Sequence, residues 1–294
     1  MNQLFDAGRW WLLVGKHWAE NKKKYTLSLI AIAGLLLLLF FVIIATDPHS
    51  IPSEIQLNTY YAGLFVVGCL YGSMLFADLG SKTRGLNYMV VPASQLEKLL
   101  CALFYGVVVF FVCYTAIFYV TDFIMLKAGN AIMYSHWLKG HTTGDVFVPQ
   151  EIMNVFFTPD HHNGNQPGFV LYLLLLYIVV QAAFIYGSIF YPKFSLIKTV
   201  ISLLLIGLCS AFIFGKIIKD ILPPGNYHED LTSYTVYTVK KTGGDGVMIY
   251  SDANTDKLIS LPAWIGKVLV FLLQYAFAPL FWIATYYRLK EKEI

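Results

Sequence analysis

One stretch of this sequence, residues 78–103, gathers charged side chains between two long apolar runs, so it must lie in water or at a membrane surface. Pro92 biases the residue before it toward an extended backbone, and Ser94 followed by Glu97 fits a capping box at the start of a helix. A short polar link that leads into a firmly capped helix suits force transmission, and an ordinary loop is the alternative interpretation. The charged residues of the stretch are Asp78, Lys82, Arg84, Glu97 and Lys98.

Histidines supply the other side chains that could do chemistry, and four of them lie in the polar stretch 127–168. Adjacent histidines such as His161 and His162 do not share a helical face, and no Cys or spaced Glu completes a metal-ligand set. We therefore expect solvated loop histidines and no metal, and a membrane-embedded enzyme that uses His161 and His162 is the least favoured hypothesis. The remaining two histidines of that stretch are His136 and His141.

The common catalytic motifs are missing from the sequence. It contains no Gly-x-x-x-x-Gly-Lys-[Ser/Thr] phosphate loop, so we do not expect the chain to hydrolyse ATP, and it has no His-Glu-x-x-His or Gly-x-Ser-x-Gly. Very few ionisable residues lie in the apolar runs, which argues against a carrier with its own proton or ion relay. If the protein transports, it needs an external motor that contacts its cytoplasmic face.

The composition is that of a helical integral membrane protein. Of the 294 residues 57% are hydrophobic and only 13% are charged, whereas soluble domains carry roughly a quarter charged residues. A net charge of +3 is too small to indicate nucleic-acid binding. The four cysteines all fall in apolar runs, where they are typical of small buried hydrophobic residues.

Six apolar windows are long enough to cross a bilayer, which takes about 20 residues. The predicted fold is therefore an all-α transmembrane domain over residues 1–294. Gly68 and Gly72 have a spacing that allows close helix approach, and a buried Gln181 could bond a neighbouring helix or line a pathway. A second small-residue stripe predicts another packed seam, formed by Gly207, Ala211 and Gly215. The predicted spans are residues 25–45, 60–77, 99–126, 169–191, 196–217 and 263–287.

Residues 1–24 predict an amphipathic helix that lies at the membrane surface. On a helical wheel Arg9 falls on the polar side with four other polar residues, and three lysines then precede the first span. Three tryptophans suit the headgroup level: Trp10, Trp11 and Trp18.

Two long polar segments, residues 127–168 and 218–262, are predicted to face away from the cytoplasm. Within the first, residues 149–157 could make a short helix with Ile152, Val155 and Phe156 turned toward lipid. Within the second, residues 233–240 and 247–250 predict a small β-hairpin. Asp122, near the outer end of the third predicted span, is expected to reach water.

The distribution of basic residues predicts that both termini are cytoplasmic. The termini, the 78–98 segment and the short turn at Lys193 carry well over half of the chain's 21 Lys and Arg residues. The long segments on the other side carry more acids than bases. This asymmetry obeys the positive-inside rule and places residues 78–98 in the cytoplasm.

The layout and one motif resemble a known family. The motif runs through a basic and glycine segment to a proline, a small residue, a serine and a Glu-Lys pair before a span. Together with the entry sequence ENKKKY, it resembles the permeases of type-2 ATP-binding-cassette exporters. The matching residues are Lys82, Arg84, Gly85, Pro92, Ala93, Ser94, Glu97 and Lys98.

This resemblance implies a permease without a cofactor of its own, driven by a separate ATP-binding subunit that carries ATP and Mg. Residues 81–91 would form or flank the segment that docks into that subunit, with Asp78 beside it, and the N-terminal helix would brace the contact. Two copies, or this chain and a relative, would form the pathway in a bacterial inner membrane. The resemblance further implies that Arg84→Glu or Glu97→Lys uncouples ATPase activity from transport.

A membrane scaffold that binds an extracytoplasmic protein through its outer loops is the second hypothesis. The transported substrate is not readable from the residues: lipids, peptides, polysaccharides and drugs all suit apolar, aromatic-rich spans.

Overall fold

The computed structural model describes residues 5–46, 53–80, 85, 88, 90–140, 147–156, 168–221, 225–227, 233–236, 257–260, 268 and 271–292. The chain forms two compact units. The first comprises Met1–Leu196 and Ala278–Ile294, and the second comprises Ile197–Phe277.

The first unit is built from helices. In chain order they are α1 (Ala7–Thr46), α2 (Ser53–Met74), a 3-10 turn (Ala77–Gly80), α3 (Gln95–Leu103), a π-helical turn (Phe104–Val109), α4 (Phe110–Gly140) and α5 (Gly168–Phe190). Helix α6 (Ser195–Ile221) begins at the edge of this unit, and α7 (Phe277–Glu291) returns the chain to it.

Four helical stretches in the described part of the chain are long and apolar enough to cross a membrane. They are Ala7–Thr46, Gln95–Ser135, Val170–Phe190 and Ser195–Ile213. Apolar helices of this length are typical of a membrane protein. Helix α2 overlaps the predicted second span but is less apolar, because Asn58, Thr59 and three tyrosines fall within it. The predicted sixth span, 263–287, lies partly outside the described residues.

Two predicted boundaries are wrong. The interfacial helix and the first span are one continuous helix, α1, because nothing in the sequence around the three lysines breaks a helix. The predicted outer loop from residue 127 begins later, because α4 continues to Gly140. The added turns of α4 are packed by aromatic residues: the rings of Tyr134 and Trp137 stack 6.1 Å apart.

The core of the first unit is aromatic. Phe40 of α1, Tyr60 of α2 and Phe118 of α4 meet there, with ring centroids 5.0 Å apart between Tyr60 and Phe118 and 5.9 Å between Phe40 and Phe118. Buried tyrosine hydroxyls usually have a hydrogen-bond partner in so apolar a place. Accordingly, Tyr60 bonds the Thr115 hydroxyl at 2.9 Å, and Tyr114 donates to the Tyr60 carbonyl at 2.9 Å.

Helices α2 and α5 approach closely at the predicted glycine pair. A Cβ atom on Gly68 would lie 2.7 Å from the ring of Tyr177, and one on Gly72 would lie 3.3 Å from Cβ of Phe184. A larger residue at Gly68 would force the two helices apart, so the close packing of α2 on α5 depends on that glycine.

The segment 147–156 is irregular, and the predicted short helix over 149–157 is wrong for its described residues. Gln56 on α2 donates to the Glu151 carbonyl at 3.3 Å and accepts from the Met153 N–H at 3.0 Å. Val155 is buried and does not face lipid, and its carbonyl accepts from Tyr61 at 3.2 Å. These side chains satisfy backbone groups that a helix would have satisfied internally, and so they hold the segment irregular.

The second unit contains the rest of α6, a small sheet and a π-helical turn at Leu272–Ala276. The sheet has the order β1 (Gly225–Tyr227), β2 (Ser233–Val236), β3 (Lys257–Ser260), and both pairings are antiparallel. In the register of β2 and β3, Tyr234 lies opposite Ile259. The predicted strand 233–240 overlaps β2, whereas the predicted return strand 247–250 lies outside the described residues.

Candidate functional site

The capping box predicted at the start of the third span is present. Ser94 has an extended backbone (φ −67°, ψ 157°), and its hydroxyl accepts from the Glu97 N–H at 3.2 Å. In return, the Glu97 carboxylate accepts from the Ser94 N–H at 2.9 Å. Helix α3 therefore starts at a fixed point, directly after the polar segment that the sequence singles out.

The same Glu97 also fixes the beginning of α1. Its Oε1 accepts from the Asp6 N–H at 2.8 Å and from Nη2 of Arg9 at 3.0 Å. The Glu97 side chain is 0% exposed, while that of Arg9 is 44% exposed. One buried carboxylate thus ties together two chain segments about ninety residues apart, which we call the Glu97 clamp (Asp6, Arg9, Ser94 and Glu97).

Aromatic packing continues from the clamp along α1. The indole of Trp10 meets Phe104 edge-on at 5.7 Å, and the Tyr105 hydroxyl donates to the Val14 carbonyl at 2.9 Å. The His17 ring lies 4.7 Å from the ring of Tyr105. The first turns of α1 therefore rest on the α3 helix and the π-helical turn.

The far ends of α5 and α7 lie at the same end of the first unit. Nζ of Lys292 donates to the Ile189 carbonyl at 2.8 Å, and the Arg288 guanidinium lies 5.3 Å from the ring centre of Phe190. Burial, with the nearby positive charge of Arg288, lowers the pKa of Lys292. Buried apolar residues join these ends to α3: Phe76, Leu99, Ala102, Ile185, Ile189 and Leu289.

This charged end, which holds the Glu97 clamp and Lys292, brings together segments that the charge pattern predicts to share one side of a membrane. They are the N-terminus, the part of 78–98 that the structure describes, the end of α5 and the C-terminus. The opposite end holds Gln56, Asn130 and the segment 147–156, where Asn130 accepts from the Gln150 N–H at 2.9 Å. We call it the amide end.

The predicted coupling residues fall into different environments. Lys82 and Arg84 lie outside the described residues, as does the side chain of Asp78, whose backbone is in the 3-10 turn. Pro92 is exposed. Lys98 is 3% exposed, with Nζ 5.5 Å from the ring centre of Tyr88.

Glu97 differs from its predicted role as a residue of the docking surface. A side chain with no exposed area does not present itself to a partner, and its three donors come from this chain. Glu97 positions the segment instead. We therefore expect Glu97→Lys to disrupt the fold, and Arg84→Glu is the cleaner test of coupling.

The predicted tryptophans of the N-terminal helix divide between two faces. Trp10 packs inward on Phe104, whereas Trp11 is 64% exposed and Trp18 is half-exposed. The ring of Trp18 stacks on Tyr25 at 6.0 Å. The two exposed indoles suit the headgroup layer of a bilayer.

Gln181 is buried and bonds a neighbouring helix. Its Nε2 donates to the Gly106 carbonyl in the π-helical turn. A π turn shifts the backbone hydrogen-bond pattern of a helix, and the Gly106 carbonyl that Gln181 bonds lies within this turn. A Cβ atom on Gly106 would overlap Cδ1 of Leu75, the residue that follows α2, so the chain after α2 packs closely against the turn.

The predicted seam on α6 has no packing partner at the positions that the structure describes. A Cβ atom on Gly207 would meet nothing within 4 Å, and Ala211 is exposed. Gly215 lies on the same helix, and its surroundings are outside the described part of the chain.

Among the described residues, no group of three or more His, Cys, Asp or Glu side chains could hold a metal ion. His141, His161 and His162 lie outside those residues, as does the side chain of His136.

Sequence reasoning missed two features of the site. The Asp6 backbone is a partner of Glu97, and no sequence signal points to it, because the contact joins residues far apart in the chain. Asp122 was expected to reach water, yet it is 1% exposed and neither carboxylate oxygen has a hydrogen-bond partner among the described residues.

Comparisons of the chain with protein-family models, with curated proteins and with solved structures give no match.

Proposed function

We propose that this chain is the membrane-spanning permease subunit of an ATP-driven exporter, powered by a separate ATP-binding subunit. The observation that carries the proposal is the Glu97 clamp. It fastens the end of the polar segment 78–94 to the first turn of α1 and to the start of α3. A movement of that segment would therefore be transmitted to two long apolar helical runs, α1 and α3–α4, because the connection between them is rigid.

The shape of the charged end supports the same proposal. The start of α1 and the start of α3 meet there. The ends of α5 and α7 join them, because Leu289 packs in the same buried cluster as α3 and Lys292 bonds the end of α5. An external motor that binds this end would act on several helices at once. The chain would be one half of the transporter, so a second copy or a relative would complete the pathway across a bacterial inner membrane, with both termini in the cytoplasm.

In this proposal the six-span arrangement of the sequence prediction applies, with α2 and residues 263–287 crossing the bilayer beside the four most apolar helices. Tyrosines that lower the hydropathy of α2 find partners inside the first unit, such as Thr115 for Tyr60. A helix whose polar groups are satisfied internally is tolerated within a bilayer.

The test is co-expression with the ATP-binding subunit, followed by purification of the complex and an ATPase assay in vesicles. We expect Arg84→Glu to reduce the stimulation of ATPase activity by the permease about tenfold, the equivalent of about 1.4 kcal/mol in binding. The matched control is Lys290→Glu, an exposed basic residue in the last turn of α7. Equal stimulation by the Arg84→Glu variant and the control would contradict the proposal.

A membrane scaffold is the second candidate, and the amide end favours it. The segment 147–156 is held by Gln56 and Asn130, yet it exposes large apolar side chains at Val148 and Ile152. An ordered surface of this kind suits a protein partner. Purification with an envelope protein and no ATP-binding subunit would favour the scaffold over the permease.

A further inference from the structure

A narrow cavity, which we call the apolar groove, lies in the first unit between α1, α2 and the helical run from the π-helical turn into α4. Its volume is about 260 Å³. On α1 its lining residues extend from Trp18 to Ile32, about 21 Å along the helix axis. Val67 of α2 and Cys113 of α4 line its other two sides. A volume of this size spread over such a length forms a groove rather than a compact chamber.

Three polar groups at the groove already have partners within the chain. The Tyr25 hydroxyl lies 2.6 Å from Nε2 of His17, and the Tyr105 hydroxyl donates to the Val14 carbonyl at 2.9 Å. The Ser28 hydroxyl donates to a backbone carbonyl of its own helix at 2.8 Å. No charged residue lines the groove in the described part of the chain. A polar ligand would lose its water and gain few hydrogen bonds in return, so the groove selects a hydrocarbon.

The groove is continuous with the exposed aliphatic surface of the helices around it. Ala31 on α1 and Leu70 and Met74 on α2 line the groove and are themselves exposed. Beside them on α1, Ile30 is 69% exposed. Apolar side chains that are exposed on a membrane-crossing helix face the hydrocarbon of the bilayer. A lipid chain therefore reaches the groove without passing through water.

The groove changes character along α1. At one end the rings of Tyr25 and Tyr105 stack with centroids 5.7 Å apart, and Trp18 lies toward the start of the helix from them. Aromatic side chains with polar tips are typical of the level where headgroups meet acyl chains. The other end, near Ile32, is aliphatic. The groove thus runs from the interface into the hydrocarbon, as an acyl chain does.

One wall of the groove is a π-helical turn. Tyr105 and Val109 belong to that turn (Phe104–Val109), and both line the groove. Turns of this kind are rare and occur frequently at functional sites. This wall favours a binding site over a simple gap in the packing.

We propose that the apolar groove binds one acyl chain of a membrane phospholipid, with the start of the chain at the Tyr25 and Tyr105 rings and its methyl end toward Ile32. The apolar walls and the narrow shape recognise the chain, and the headgroup stays at the membrane surface without a site of its own. The bound chain fills the gap that α1, α2 and the π-helical turn leave between them. This proposal needs only that α1 crosses a membrane, so it does not depend on the exporter function.

The test uses the full chain, reconstituted in vesicles of phosphatidylcholine and phosphatidylglycerol in equal amounts and with the same acyl chains. The protein is then extracted in mild detergent for native mass spectrometry. We expect one phospholipid retained per chain. The two lipids should be retained in equal amounts, because the groove recognises the chain and not the headgroup.

A matched pair of variants on α1 places the lipid in the groove. Ala31 lines the groove and is exposed, so Ala31→Phe puts a ring into the groove without disturbing the core. The ring excludes about two methylene groups of the chain, and retention should fall at least about tenfold. Ala45→Phe makes the same substitution at an exposed position of the same helix outside the groove, and its retention should equal that of the unchanged chain.

A second pair tests the groove from α4. Cys113→Phe fills the groove and should reduce retention by a similar factor, whereas Val112→Phe, on the exposed side of the same helix, should not. If Cys113→Phe does not fold, Ala31→Phe carries the test, because its side chain lies at the exposed edge of the groove.

Three results would overturn the proposal. The first is that the unchanged chain retains no phospholipid. The second is equal retention by the two variants of either pair. The third is a preference of about tenfold or more for one of the two lipids, which would mean that the headgroup and not the acyl chain holds the lipid.

Discussion

Two buried acids in the continuous helical run from α3 to α4, Glu97 at the charged end and Asp122 toward the amide end, have nearly the same exposure and opposite surroundings. Glu97 is 0% exposed and accepts hydrogen bonds from Ser94, Asp6 and Arg9. Asp122 is 1% exposed, and its carboxylate has no hydrogen-bond partner among the described residues.

The comparison teaches that burial alone does not tell whether an acid holds a membrane helix in place or weakens it. What decides is the set of donors that meet the carboxylate, because an unmatched buried polar group costs free energy that hydrogen bonds would offset. The ends differ in chemistry as well: the charged end is fastened by an ionised side chain, and the amide end by Gln56 and Asn130, which are neutral.

The largest effect is expected for Glu97→Lys. The substitution places a second cation beside Arg9 and leaves two backbone N–H groups without their acceptor, so we expect a loss of about 4 kcal/mol in the free energy of unfolding. Thermal unfolding in detergent measures it. Glu291→Lys, at an exposed glutamate of the same end, is the control, and a Glu97→Lys variant as stable as that control would mean that the clamp holds nothing.

Gln56→Met removes the side-chain hydrogen bonds of the amide end and keeps the volume of the side chain. It removes the hydrogen bonds to Glu151 and Met153, so we expect a loss of about 2 kcal/mol and faster hydrogen exchange at the Met153 amide. Because no charge is involved, the loss should be the same at low and high salt. The control is Asn58→Met, at an exposed position of the same helix. Unchanged exchange at Met153 would show that Gln56 does not hold the segment.

Asp122→Leu should raise the free energy of unfolding, in contrast to the two preceding variants. It replaces a buried carboxyl that has no hydrogen-bond partner among the described residues with an apolar group of similar size, so we expect the free energy of unfolding to rise by about 1 kcal/mol. A rise in melting temperature in detergent is the measurement. Destabilisation would show that Asp122 has a partner that the comparison with Glu97 overlooks.

Arg9→Gln should give the smallest loss of stability. The guanidinium is partly exposed, so solvent screens its attraction to Glu97, and the expected loss is about 1 kcal/mol. The loss of unfolding free energy in Arg9→Gln should become smaller as the salt concentration is raised, because salt screens a partly exposed ion pair. The loss in Gln56→Met should not depend on salt. A loss independent of salt would mean that Arg9 contributes through packing. Arg288→Gln, in an exposed pair with Glu291, serves as the comparison.

Much of the local structure could be predicted from the sequence. The capping box at Ser94 and Glu97 depends on residues three apart, so the sequence alone indicates it, and the structure has it. The apolar runs indicate membrane helices for a similar reason, since length and composition are local properties. The predicted break within α1 and the predicted end of α4 were wrong, because polar lysines and an aromatic segment do not by themselves stop a helix.

What the sequence by itself determined is therefore the presence of long apolar helices, four of them in the described part of the chain, the position of the helix start at Ser94 and the gathering of basic residues in a few segments. Only the tertiary structure decided that Glu97 also accepts hydrogen bonds from Asp6 and Arg9, that buried Asp122 has no hydrogen-bond partner among the described residues, and that Gln181 bonds Gly106. The physical reason is that capping and hydropathy act between near neighbours, whereas the burial and partners of a polar side chain depend on helices brought together from distant parts of the chain.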